Sequence, residues 1–538
     1  MVCVRPLPKL SDIPDDQRTP LVLMLLEFIT WQHEEILRLK DEIAILKGQK
    51  PRPKIKPSKL EAGTREKRQE EGEPGKRPGS AKRSKTEEVT DFDVVNLSVE
   101  NVPHGSAFKG YEDYMVQELI IESRHVLYRR ERWIAPDGTT IIAALPKEVA
   151  ALKGGHFNRA VNAAVLSLHH KGTVTQPLIR DMLTDWGIDI STGQINRILT
   201  EDKQGFHEEK QEILRVGLEV SSYVNADDTG ARHQGKNGYC THIGNELFAW
   251  FESTTSKSRI NFLELLRAGN TDYVINETVI DYLCANNLSE AQINSIIDSG
   301  KTSFATEKAW KAALESWDIT NTAAVRIATE GALLGSVLEH GINPHLAVIS
   351  DDAGQFNILL HGLCWVHAER TIHKIVGFTD EHREALEAIR GQIWDFYKAL
   401  KSYRKSPSPD KKAELSARFD EIFTQETCFV TLNQALKRLY SNKAELLLVL
   451  DRPDIPLHNN ASESDIREYV KRRKISGGTR SDEGRKCRDT FTSLKKTCGK
   501  LGVRFWHYIN DRLGGTGEIP PLSELVRRRA EQAMANPA

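Results

Sequence analysis

Apolar residues recur along the chain in several rhythms, and each rhythm predicts a different element. Over residues 22–46 the period is seven. Val22, Ile29, Ile36 and Ile43 fall at one seam position, and Leu25, Gln32, Leu39 and Leu46 at the other. β-Branched residues at the first position with leucine at the second favour a parallel two-stranded coiled coil. A coiled coil is therefore predicted over 20–48, stopped by Pro20 on one side and by Gly48 and Pro51 on the other. It implies a homodimer or higher oligomer. Over 115–147 the period is two, with a turn at Pro136-Asp137-Gly138, so 91–150 is read as a small β-rich segment. Residues 151–215 are helical in pattern. Thr173 or Thr175 can cap one helix, Gly187 ends it, and Ser191 with Gln194 opens the next as a capping box. Two helices about a tight glycine turn predict a helix-turn-helix, whose second helix offers Gln194, Asn196 and Arg197 to DNA.

From residue 222 short strands return. One ends at Asp227-Asp228, a hairpin follows around Gly244-Asn245, and a later buried strand ends at Asp351-Asp352. Helical pattern fills about 265–320 and 380–450 and resumes from about Ala461. The predicted plan is α/β: a catalytic region over 216–515 enlarged by two helical insertions, then a tail over 516–538.

Length and charge change this picture in part. A chain of 538 residues with 39% hydrophobic residues is too apolar for whole-chain disorder and long enough for about three or four domains. The longest apolar run, Leu21 to Leu26, is far short of the ~20 residues that span a bilayer, so no membrane partner is expected. No secretory pattern is evident, and seven cysteines without paired spacing read as reduced thiols, so a cytoplasmic, nucleoid-associated protein is expected. The formal net charge of −1 argues against a nucleic-acid partner. The charge is segregated, however. Residues 47–85 hold 14 Lys and Arg against 5 Asp and Glu, and the Pro- and Gly-rich stretch 49–90 reads as a flexible basic arm. Residues 467–500 hold 12 against 4. Two basic regions restore double-stranded DNA as the expected partner.

The acids supply candidate chemistry. A strand ending in aspartate, a neighbouring strand ending in aspartate and a helix carrying a third carboxylate make an RNase H-like plan. Such carboxylates can hold two Mg²⁺ or Mn²⁺ ions about 3.5–4 Å apart for in-line phosphodiester displacement. Asp227 competes with Asp228, Asp351 with Asp352, and Glu463 with Asp465 and Glu468. Arg467, Lys471 and Lys474 follow Glu463 at helical spacing, with Arg472 in the same basic run.

Residues 223–230, 348–370 and 458–488 resemble transposases of the insertion-sequence sixty-six family. Asp227-Asp228-Thr229 is similar to the family's Asp-Glu-Thr motif, and Ser350-Asp351 to its second aspartate motif. Cys364-Trp365-Val366-His367-Ala368-Glu369-Arg370 resembles Cys-Trp-x-His-x-Arg-Arg, and Asn459-Asn460-Ala461-Ser462-Glu463 resembles Asn-Asn-x-Ala-Glu. Arg467 matches an arginine one turn on, and Gly477, Gly478 and Gly484 a glycine-bearing loop. The resemblance implies a DNA transposase with Asp227, Asp351 and Glu463 as catalytic metal ligands. It also implies Arg370 near the DNA, and small companion proteins. Cys364 and His367 are expected to be structural, because two ligands do not make a zinc site. Residues 90–150 contain no cysteine, so no zinc is expected there. His458, Ser462 and Ser464 depart from the family pattern. Two alternatives stay open: a non-catalytic DNA-binding regulator or relic, and a nuclease without strand transfer.

Overall fold

The computed structural model describes residue 14 and residues 17–26, 28–29, 31–32, 93–150, 152 and 155–535. It divides into two units, Met1–Ile120 and Ile121–Ala538. In the first, residues 20–26, 28–29 and 31–32 are helical and include Val22, Leu25, Ile29 and Gln32. The rest of the heptad and the basic arm lie outside the described residues. Residues 93–120 form no helix or strand, and Leu97, Tyr114 and Leu119 among them are exposed.

The second unit opens on a small hairpin, β1 (Arg132–Ile134) and β2 (Thr140–Ile142), antiparallel around Pro136-Asp137-Gly138. Asp137 closes the turn: its Oδ1 accepts from the Thr139 N–H at 2.9 Å and from the Thr139 hydroxyl at 2.6 Å. The alternation over 116–131 does not lengthen this ladder, and all six paired residues are exposed. A two-stranded ribbon with no buried face is marginal, so the longer strands have nothing to pair with.

A single helical turn, Lys147–Ala150, is followed by four longer helices: α1 (Arg159–His170), α2 (Gln176–Asp185), α3 (Thr192–Thr200) and α4 (Gln204–Val220). Gly187 takes φ +82° in the turn after α2. Ser191 caps α3, its Oγ accepting from the Gln194 N–H at 3.1 Å. Ile179 and Leu183 of α2 and Ile195 and Leu199 of α3 are buried in the common core, while Asn196 and Arg197 are exposed.

The centre is a five-stranded sheet in the order β5-β4-β3-β8-β9. Its strands are β3 (Tyr223–His233), β4 (Lys236–Gly244), β5 (Ala249–Thr254), β8 (Ala347–Ser350) and β9 (Leu360–Leu363). The first three strands in sequence are antiparallel, and β8 and β9 run parallel to β3. Side-chain alternation divides the core. Val224, Ala226, Ile243, Trp250 and Val348 join the large core with α4. Ala347 and Ile349 join a second core, and Cys240, Ala249 and Phe251 a third with Ile466 and Tyr469.

Two excursions leave the sheet. Between β5 and β8 lie α5 (Arg259–Leu266), α6 (Glu277–Ala285), α7 (Glu290–Asp298), α8 (Glu307–Ser316), α9 (Thr322–Glu339) and a two-residue pair, β6 (Tyr273–Val274) with β7 (Ser303–Phe304). Tyr273 stacks on Trp310 with ring centroids 5.4 Å apart, and Phe304 and Trp317 meet Trp310 edge-on. After β9 come α10 (Trp365–His373), α11 (Asp380–Lys405), α12 (Pro409–Phe423) and α13 (Val430–Ser441), packed around Trp365, Phe396, Phe419 and Phe423. The chain then returns through α14 (Asn460–Ser476), α15 (Asp482–Lys500), α16 (Phe505–Gly514) and α17 (Leu522–Ala535). Among the described residues no helix is long and apolar enough to cross a membrane.

Helix α15 covers the open edge of β5. Thr497 Oγ1 accepts from the Ala249 N–H at 3.2 Å, Ser493 Oγ from Phe251 at 2.9 Å, and Asp489 Oδ2 from Ser253 at 2.9 Å. Every second strand residue meets every fourth helix residue. The match works because two strand residues rise about 6.6–6.8 Å and four helix residues about 6 Å. An edge that would otherwise present free N–H groups is closed by side chains.

At the other face, α4 approaches the sheet through Gly217, where an added Cβ would stand 2.6 Å from the buried Phe248 ring. Gly217→Ala gains about 1 kcal/mol of helix propensity at most and incurs an overpacking cost of about 1–3 kcal/mol. A lowered urea midpoint on chemical denaturation is the expected outcome; an unchanged or raised midpoint would contradict this packing.

Candidate active site

The register of β3 and β8 brings two carboxylates together. Asn225 pairs with Ile349 in a parallel ladder, and Asp227 and Asp351 each follow two residues later. By alternation both leave the same face of the sheet. Across β4, His242 is the direct partner of Asp227. The third carboxylate comes from α14, whose first turn is stapled to this corner. Asn459 Nδ2 donates to the Ala226 carbonyl at 3.0 Å, and the Asn459 N–H donates to Cys364 Sγ at 3.2 Å. The Cys364 N–H in turn donates to the Ser350 carbonyl at 2.9 Å. Asn459 and Cys364 thereby tie the start of α14 to the residues just before Asp227 and Asp351.

The acids differ in their partners. Asp228 accepts from Gln355 Nε2 at 2.6 Å and lies 3.9 Å from Lys257 Nζ. Asp352 is bound by Arg438 and accepts from Asn442 Nδ2 at 3.3 Å. Asp227 Oδ1 accepts the neighbouring Asp228 N–H at 2.7 Å. Asp351 Oδ1 is buried with no hydrogen-bond partner among the described residues. Burial and then the charge of Asp351 push the Asp227 carboxyl up to about 7, with Asp228 and Glu463 adding to the rise.

Glu463 is turned to cations. Its Oε1 lies 3.1 Å from Arg370 Nη1 and 3.5 Å from His367 Nε2, and its Oε2 lies 3.4 Å from Arg467 Nη2. Burial, and then Arg370, lower the His367 pKa. Among the described residues no three His, Cys, Asp or Glu side chains already form a set able to hold a metal ion.

The predicted basic face is partly borne by α14. Lys471 and Lys474 are exposed, and Arg467 remains 77% exposed despite its contact with Glu463. Arg472 is not on that face. It is buried, its Nη1 lies 3.0 Å from His170 Nδ1, and His170 stacks on Phe491 at 4.2 Å. The helical step that puts Arg467, Lys471 and Lys474 together turns Arg472 inward, so it is not available to DNA. Gln194 is half-buried, and Asn196 Oδ1 accepts from Gln176 Nε2 at 3.1 Å.

Sequence reasoning missed Asn459 as a staple, along with Gln355 and Arg438. The first stands in the Asn-Asn motif already noted, whereas the other two carry no local signal.

The pattern of the Transposase IS66 family matches residues 348–487, a span that holds Asp351, the Cys364–Arg370 segment and Glu463. An uncharacterized protein of Sinorhizobium fredii, y4jO, is 44% identical over 321 residues, which is 59% of this chain and 100% of that protein. The chain belongs to the Transposase IS66 family. Membership makes a transposase the broad functional class, and Asp227 lies upstream of the matched span.

Behind Ser350, His361 of β9 is largely buried, with its Nε2 2.8 Å from Ser350 Oγ. Burial pushes its pKa down to about 4, against about 6.5 in an unfolded chain. The folded state therefore holds His361 neutral. Its stability contribution is full above about pH 6.5 and is lost as pH falls through that value towards 4. His361→Gln is expected to lessen the drop in urea midpoint between pH 7 and pH 5; an equal drop in the variant would contradict the assignment.

Proposed function

We propose that this protein is a DNA transposase of RNase H-like fold in which Asp227, Asp351 and Glu463 are the catalytic carboxylates. The observation that carries the reading is the pair Asp227 and Asp351 on adjoining parallel strands. One oxygen of Asp351 is buried without a hydrogen-bond partner among the described residues, and the Asp227 carboxyl is raised by burial and then by the charge of Asp351. Among the described residues neither carboxylate has an ion-pair partner, and hard carboxylate oxygens suit Mg²⁺ or Mn²⁺. Asp228 and Asp352 have other partners, which favours Asp227 and Asp351 as the ligands. Glu463 would complete the set by exchanging its contact with Arg370. When bound, two such ions would activate a water or 3′-hydroxyl nucleophile and stabilise the leaving oxygen.

The chain's own residues do the rest. Asn459 and Cys364 hold the three carboxylate-bearing segments in place. Arg370 and Arg467 orient Glu463 and are free to meet a phosphate once it turns away. Lys471 and Lys474 present ammonium groups to the same DNA strand. The α2–α3 pair, read as a helix-turn-helix, contacts the element's ends through Gln194, Asn196 and Arg197. The heptad over 20–48 pairs protomers. Strand cleavage and strand transfer then follow at one site, with small companion proteins as further partners.

Asp227→Asn, Asp351→Asn and Glu463→Gln are each expected to lower Mg²⁺-dependent nicking of DNA bearing the element's terminal repeats. The expected loss is about a thousandfold, the equivalent of several kcal/mol of transition-state stabilisation. Binding of the same DNA by gel shift should be retained. Normal nicking by any one variant would remove that residue from the triad.

A further inference from the structure

A second polar cluster lies under the first turn of α14, on the side away from solvent. His242 is fully buried on β4 beside Asp227, so both side chains leave one face of the sheet. Its Nδ1 is 2.7 Å from Ser462 Oγ. Its Nε2 is 3.2 Å from Asp465 Oδ2, within ion-pair distance though not aligned for a linear hydrogen bond. Asp465 is held in turn by Lys496 at 3.2 Å and Lys500 at 3.0 Å, both from α15. Ser462 and Asp465 are themselves buried. A neutral imidazole fits these partners: Nδ1 accepts the serine proton and Nε2–H faces the carboxylate.

The placement around Glu463 is informative. Ser462 and Asp465 are three residues apart and share one helix face, whereas Glu463 leaves the helix about 100° round from Ser462. Two contacts to one rigid ring fix both the roll and the axial position of the helix. The ring is itself fixed to Asp227 by the β3–β4 ladder. Packing alone would be served by an apolar residue without the cost of burying three polar side chains. The motif that this segment resembles has alanine where Ser462 stands, so the serine limb belongs to this chain.

We infer that His242 is a positioning residue that sets the distance between Asp227 and Glu463 by holding Ser462 and Asp465. The inference rests on the triad proposed above. It predicts that loosening the hold weakens metal binding while the fold and the DNA contacts persist. Partners that orient metal ligands from behind are typically worth about 10–100-fold in metal affinity.

The test is Mn²⁺ binding to the full-length protein without DNA, followed by calorimetric titration, with thermal unfolding and gel shift alongside. Four proteins are compared: unaltered, Asp227→Asn, His242→Gln and Ser462→Ala. His242→Gln and Ser462→Ala are each expected to weaken Mn²⁺ binding about tenfold or more, with end-DNA binding unchanged. Asp227→Asn should abolish it. If Asp227→Asn loses Mn²⁺ binding while folded His242→Gln and Ser462→Ala bind as the unaltered protein does, the positioning role is wrong and the triad stands. If the unaltered protein binds no Mn²⁺, or Asp227→Asn binds normally, the triad reading fails and takes this inference with it. Should His242→Gln not fold, Ser462→Ala decides alone, since it removes one hydroxyl and leaves the imidazole in place.

Discussion

Two carboxylates held side by side in a half-buried corner repel each other, and much of the second unit is arranged to keep them there. Parallel pairing of β3 and β8 puts Asp227 and Asp351 level with one another. Burial then denies them the solvent that would screen their charges, and Asp227 rises to about 7. A corner of this kind opposes folding unless packing around it more than compensates. The compensation comes from the strands themselves: Val224, Ala226, Val348 and Ile349, just before the acids, are all essentially inaccessible. Asp351 directly follows β8 and Asp227 lies midway along β3, so their repulsion works against the most rigid part of the sheet.

Rigidity in the sheet would be wasted if α14 were free to slide. Its first turn is instead fixed by polar contacts. Asn459 reaches the Ala226 carbonyl and Cys364, and His242 reaches Ser462 and Asp465. Each contact joins residues far apart in sequence. The hold is therefore made only when sheet, α10 and α14 have all come together. Helix α15 extends the same logic to the edge strand, where Thr497, Ser493 and Asp489 take the N–H groups that a sixth strand would have taken.

What was legible in the sequence was the local part of this plan. Short apolar runs leading into aspartate marked β3 and β8, although β3 continues through Asp227 and Asp228 to His233 instead of ending there, and Ser191 with Gln194 marked the start of α3, because strand period and helix caps are written in neighbouring residues. The choice between Asp227 and Asp228 was not legible. The partners that occupy Asp228 and Asp352 are Gln355, Lys257 and Arg438, brought in by tertiary packing. Arg472 could have been placed correctly from spacing alone, since one residue beyond Lys471 is a different helix face. The alternation over 116–131 misled for a complementary reason: period two predicts a strand only if a neighbour exists to pair with it. Net charge near zero is a poor guide here because it averages over regions; the basic residues of α14 and the arm are offset elsewhere.

The two helical excursions raise a different question, which is how so much chain is carried between carboxylates without loosening them. Each excursion has its own aromatic centre, Trp310 in one and Trp365 in the other. Each centre is continuous with a core that includes the sheet: Trp310 shares the core of Val224, Ala226 and Val348, and Trp365 that of Ala347 and Ile349. Their contacts near the carboxylates converge on the loop after Asp351, where Phe262 meets Phe356 edge-on with ring centroids 4.9 Å apart. Arg259 Nη2 donates to the Gly354 carbonyl at 2.8 Å from one side, and Arg438 binds Asp352 from the other. Gln355, in the same loop, holds Asp228. The loop beside the second aspartate is thus gripped from both excursions. The inserted helices act at one point beside the acids: Arg438 of α13 holds Asp352, and Arg259 of α5 holds the loop whose Gln355 holds Asp228.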